Sequence, residues 1–148
     1  METVLNVLHV VTAVFIIGPM AILPMTAMRA VRAGNGAQVA ILAKSTNIFS
    51  LLSLVVVFFG FGVMGMADEK YALSFGTPWI LWSIILYVVA LAISLFVVVP
   101  AMRKAADALQ SSDGAVTASS AGYPAIAAGS GIASLLLVIV VVLMVWKP

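Results

Sequence analysis

Four runs of about twenty or more residues, none containing Asp, Glu, Lys or Arg, constrain this chain more than any other feature. They cover about 4–28, 47–67, 79–102 and 126–146. A membrane-spanning helix needs about 20 mainly apolar residues. Only 8% of the chain is charged and 64% is hydrophobic, against about 25% charged in a soluble domain. So little polar surface cannot cover a water-soluble globule of this length. Several runs are rich in Val and Ile, which in water would favour strands. In lipid, however, every backbone group must find its partner inside its own segment, which favours helices. The expectation is an all-α fold: one integral membrane domain over 1–148, a four-transmembrane-helix bundle with its first helix kinked at proline. The lipid bilayer is its first partner.

The charges lie in the connections. Arg29, Arg32 and Lys44 fall between spans one and two, and Arg103 and Lys104 between spans three and four, so five of the seven basic residues share one side. The positive-inside rule assigns that side to the cytoplasm. Connections 29–46 and 103–125 are then cytoplasmic, both termini lie outside, and the location is the inner (plasma) membrane. Trp79 and Trp82 open span three, and Trp146 closes span four beside Lys147. All four suit anchors at the outer interface. The helix-forming stretches "AQVAILAKSTN" and "RKAADALQ" are expected to lengthen helices two and three on the basic side, with a turn at "GNG". "SSDGAVTASSAGYP" reads as the most mobile connection. The N-terminus lacks the basic start of a cleavable signal peptide. The absence of cysteine excludes disulfides and thiolate chemistry. No basic block is dense enough for nucleic acid.

Candidate sites are few. His9, the single histidine, lies one to two turns inside the outer end of span one. On a helical wheel it shares a face with Glu2, Asn6, Ala13, Ile16 and Met20. An ionisable side chain inside a membrane is a functional candidate, and a neutral imidazole ligates haem iron or copper. The alternative is an interfacial histidine bonded to a neighbouring helix. Met64, Met66 and Met144 fall in the same leaflet and are the available soft co-ligands for copper or haem, although methionine also fills gaps in apolar packing. Pro19 and Pro24 each remove a backbone donor and free the carbonyl four residues earlier. They read as a helix kink rather than an ion site, since no carboxylate accompanies them. "GFGVMG" has the form G-x-G-x-x-G but sits within an apolar span with no preceding strand. Gly60, Gly62 and Gly65 are therefore helix-packing residues, not a nucleotide loop. Ala127, Gly129, Gly131 and Ala133 carry the same small-residue spacing in span four.

No nucleophile–base pair, paired carboxylates or chain of buried acids is present. The order of "LHVVTAVFIIGP", "GTPWILWSIILY", "VVPAMRK" and "MVWKP" along nearly the whole chain resembles a family of small bacterial four-helix membrane proteins of unknown function. The resemblance implies a four-helix bundle. More distantly, the "LHV" opening is similar to copper-resistance D-type proteins and the membrane protoporphyrinogen oxidase. In those groups an early histidine of the first helix is associated with metal or haem, which would give His9 that role.

Three functions follow in order. The first is a non-enzymatic accessory, assembly or interaction subunit of a bacterial membrane complex, without a cofactor and with a membrane-protein partner or a second copy of itself. The second is a haem b or copper protein using His9. The third is a small-solute transporter or channel using the proline-bearing first helix.

Overall fold

A computed structural model describes residues 1–67, 69–111 and 122–148. Its architecture is all-helical. Four helices are long and apolar enough to cross a membrane: α1 (Glu2–Arg32), α2 (Gly36–Met66), α3 (Pro78–Ser111) and α4 (Tyr123–Trp146). No strand occurs among the described residues. The expected connection at 111–124 falls mainly on residues outside the described range.

The helices overrun the predicted spans at the basic end. At 1.5 Å per residue, α2 is about 46 Å long and α3 about 51 Å, whereas the hydrocarbon core is about 30 Å thick. The surplus is "AQVAILAKSTN" and "RKAADALQ", both of which continue their helices. The α1–α2 turn is as tight as its sequence suggests. Gly34 adopts φ +72°, a left-handed conformation that glycine alone enters without strain. Around it, Asn35 N–H donates to the Ala30 carbonyl and Gly34 N–H to that of Val31. These two bonds satisfy carbonyls at the end of α1 in a Schellman motif. The Asn35 side chain then caps α2 by accepting from Gln38 N–H at 3.1 Å.

Packing is unequal along the bundle. At the basic end Ala27, Ala30, Val31, Val39, Val98, Met102, Ala105 and Ile126 form one buried cluster. The many alanines let the helices approach closely. Gly36 carries this to its limit, since a Cβ there would stand 2.8 Å from Gln110 Cγ and 3.0 Å from its backbone nitrogen. Arg32 closes the same end by stacking over the Tyr123 ring, 4.9 Å from its centroid, and donating to its hydroxyl. A second, mid-bundle cluster joins Met20, Tyr87, Ala90, Ala133 and Leu137. Toward the far end, which holds both termini and residues 69–77, the core thins. There α3 stays packed on α4, but the first segment of α1 (Glu2–Thr12) rests on α2 without extensive contact to α3 or α4. None of its residues is buried.

Two helices depart from regular α-geometry at matching positions. A single π-helical turn occupies Ala13–Ile17 in α1 and another occupies Ser94–Val98 in α3. Each ends two residues before a proline, Pro19 and Pro100, and each carries a phenylalanine third, Phe15 and Phe96. A proline removes the donor its helix needs for the carbonyl four residues earlier, and a widened turn re-pairs the ladder around that loss. Pro24 lies buried within the same continuous helix.

Candidate functional site around His9

His9 is half-buried at the α1–α2 contact. Its Nδ1 lies 2.8 Å from the carbonyl oxygen of Val56. A carbonyl only accepts, so Nδ1 carries the proton and donates, and in the neutral ring Nε2 keeps its lone pair. The ring lies against Gly60. A Cβ at that position would meet His9 Cε1 at 2.9 Å, Nδ1 at 3.3 Å and Nε2 at 3.7 Å. The missing side chain of Gly60 is thus what makes room for the imidazole. One turn further along α1, the Thr12 hydroxyl donates to the Leu8 carbonyl at 2.7 Å and approaches that of His9 at 3.2 Å.

The other expected site residues divide. Gly62 receives Leu5, whose Cδ1 would lie 3.4 Å from a Cβ, whereas Gly65 has nothing within 4 Å. In α4, Gly129 takes Val98 and Val97, and Ala133 is buried, while Gly131 faces open space. The reason is helical spacing. Residues two apart point about 200° apart, so the Gly129/Ala133 pair meets α3 and Ala127/Gly131 does not share that face. Met66 is exposed, and Met64 and Met144 are half-buried. Among the described residues, no group of three His, Cys, Asp or Glu comes together to hold a metal ion. Trp79, Trp82, Trp146 and Lys147 all stand at the far end, with Trp82 and Trp146 exposed.

Sequence reasoning missed the hydroxyl groups inside the bundle. Thr46, Ser50 and Ser53 are fully buried on one face of α2, and Ser83, Ser94 and Ser130 are buried on α3 and α4. Their helical spacing inside apolar runs was the available signal. Ser53 Oγ donates to the Ser50 carbonyl and shares a 2.6 Å hydrogen bond with the Tyr87 hydroxyl, tying α2 to α3. Ser50 and Ser134 hydroxyls find no partner among the described residues. Ser134 borders a crevice with Met20, Pro24, Ser94 and Ser130, which is too narrow to admit a water molecule.

Neither a curated protein nor a solved structure matches the chain, so the similarity to copper-resistance D-type proteins and protoporphyrinogen oxidase has no support from a relative. The family comparison is of a different kind, because it spans almost the whole sequence. Residues 3–148 match the model of the predicted integral membrane protein family DUF2269, and the chain belongs to that family.

Proposed function

We propose that the chain is an accessory or assembly subunit of a bacterial membrane complex, with a second membrane protein seated on the first segment of α1. One observation carries this reading: the first helix is the least enclosed. In its most apolar stretch 11% of residues are buried, against 28% in α3 and in α4. Its exposed surface also carries Thr3 and Asn6. An amide beside lipid gains about 1 kcal/mol from an interhelical hydrogen bond. By the positive-inside rule, the basic end lies in the cytoplasm and the partner-bearing segment in the outer leaflet of the inner membrane, with Trp79, Trp82, Trp146 and Lys147 at the outer interface. The prolines bend α1 without creating an ion site.

The test is a photo-crosslinking scan in native membranes. Probes at Val7, Val10 and Val11 are expected to give one discrete adduct with a different protein. Asn6→Leu should reduce it several-fold, and probes at Leu135 and Val138 of α4 should give none. No adduct, or equal adducts from both faces, would contradict the reading. An adduct of twice the chain mass would replace the partner by a second copy.

A second reading rests on the His9 tautomer. A histidine whose Nδ1–H is held by a carbonyl presents Nε2 as a ligand, the usual arrangement at haem and copper centres. His9 would hold the group through Nε2, the nitrogen left free by the bond to Val56. A second histidine would have to come from another chain, because this sequence has one. Met64, Met66 and Met144 are the sulfur donors that its sequence places in the same leaflet. The absorption spectrum and elemental analysis of gently purified protein decide this: a Soret band or stoichiometric copper, lost in His9→Ala, would support it. A protein with neither would exclude it.

A further inference from the structure

We propose that the first segment of α1, Glu2–Thr12, is a movable strap hinged at the π turn and Pro19, which His9 latches to α2. Several features meet in this segment and at its base. It buries no residue of its own, and its extensive packing is on α2 and the adjoining π turn. Its base is the place where regular α-helical hydrogen bonding is interrupted, at Ala13–Ile17 and again at Pro19. Gly18, between the two, has no heavy atom within 4 Å of where a Cβ would stand, so that side of the hinge is open, while the π turn packs on α2. The polar tie to the rest of the bundle is the bond from His9 Nδ1 to the Val56 carbonyl, with the ring seated on Gly60.

Helix α3 supplies the comparison within the same molecule. It has the same local construction, a π turn ending two residues before Pro100. Yet its far segment is pinned, because Ile80, Ser83, Tyr87 and Ala90 are buried and it packs along α4. The local irregularity is therefore common to both helices, but in α1 the segment beyond it is restrained essentially by α2 alone. Swinging the strap outward exchanges apolar contact with α2 for contact with lipid, which is close to neutral because lipid tails are as apolar as the side chains. What holds it closed is mainly the part-buried hydrogen bond from His9 and the fit at Gly60. An open strap bares the Val56 carbonyl and the Gly60 seat on α2. This deepens the reading that the segment bears the partner, since the same segment would then have a free and an engaged position. The motion itself needs no partner.

The chain has no cysteine, so paired spin labels can be placed on the full-length protein in nanodiscs without background. Labels at Val4 and Trp82, both exposed, report the strap against α3, and labels at Trp82 and Val145 report α3 against α4. The expected result is two distances for the first pair and one narrow distance for the second. His9→Ala and Gly60→Ala should each raise the displaced population of the first pair several-fold. Pro19→Ala, which restores a donor at the hinge, should diminish it, and Pro100→Ala should leave it unchanged. A single narrow Val4–Trp82 distance unaltered by His9→Ala and Gly60→Ala overturns the proposal. So does equal broadening of the reference pair, which would signify a general loss of packing. Because no partner is present, failure here leaves the crosslinking outcome untouched, and failure of crosslinking leaves the strap intact.

Discussion

Gly129→Leu is expected to lower the stability of the purified bundle by at least about 3 kcal/mol, the upper range for forcing extra carbons into a close-packed contact. At Gly129 a Cβ alone would stand 2.9 Å from Val98 Cγ2 and 3.2 Å from Val97 Cγ1. Both neighbours are β-branched and have stiff χ1 angles, and Val98 is completely buried, so Val98 cannot yield without moving α3. The larger leucine must push the two helices apart where they hold the mid-bundle and basic-end clusters together. The matched substitution two residues on should act in the opposite sense. Gly131 has nothing within 4 Å, and replacing glycine within a helix gains up to about 1 kcal/mol in propensity. Unfolding by denaturing detergent, monitored through helix content, compares the two variants directly. Equal destabilisation by both would mean that α3 and α4 do not meet through Gly129.

Met102→Ala should cost about 2–5 kcal/mol, the range for truncating a large, fully buried side chain. Met102 has no exposed surface and stands among Ala27, Val31, Val39, Ala105 and Ile126. Its neighbours are mostly small residues on rigid helices, so they cannot collapse into the space it leaves. Its position strengthens the expectation. It lies where α3 leaves its apolar run and continues as the charged stretch "RKAADALQ", and it joins all four helices there. Leu135→Ala provides the contrast. Leu135 is 61% exposed in the middle of α4, so its truncation should stay within about 0.5 kcal/mol. Thermal unfolding of the two variants in one detergent measures the difference. Similar losses at both positions would show that burial in the bundle does not govern its stability.

The four helices were legible because length and the lack of charge identify a span whatever its neighbours are. The extensions of α2 and α3 were legible for a related reason, as both are built from good helix formers with no breaker. What faces what was not legible. In water, an apolar stripe marks the buried side of a helix. In lipid the outer side is apolar as well, so Gly60 and Gly65, or Gly129 and Gly131, look equivalent in sequence, though the structure uses one of each pair. The bond between His9 and Val56 joins residues 47 positions apart and has no local signature, since its acceptor is a backbone carbonyl. The prolines were visible, but the π turns that precede Pro19 and Pro100 depend on how each helix re-pairs its ladder. Thr46, Ser50 and Ser53 carried a readable spacing, because small polar residues repeated at helical intervals in an apolar run point inward together.

Mass analysis of the intact assembly, released from native membranes in mild detergent, is the sharpest test of the accessory role. It weighs partner, copy number and bound cofactor in one measurement. The expected result is this chain together with a second, different membrane protein in fixed proportion and without added cofactor mass. Substitutions on the exposed face of the first segment of α1 should release that protein. A chain recovered alone as a stable monomer, or carrying haem or copper that His9→Ala removes, would contradict it.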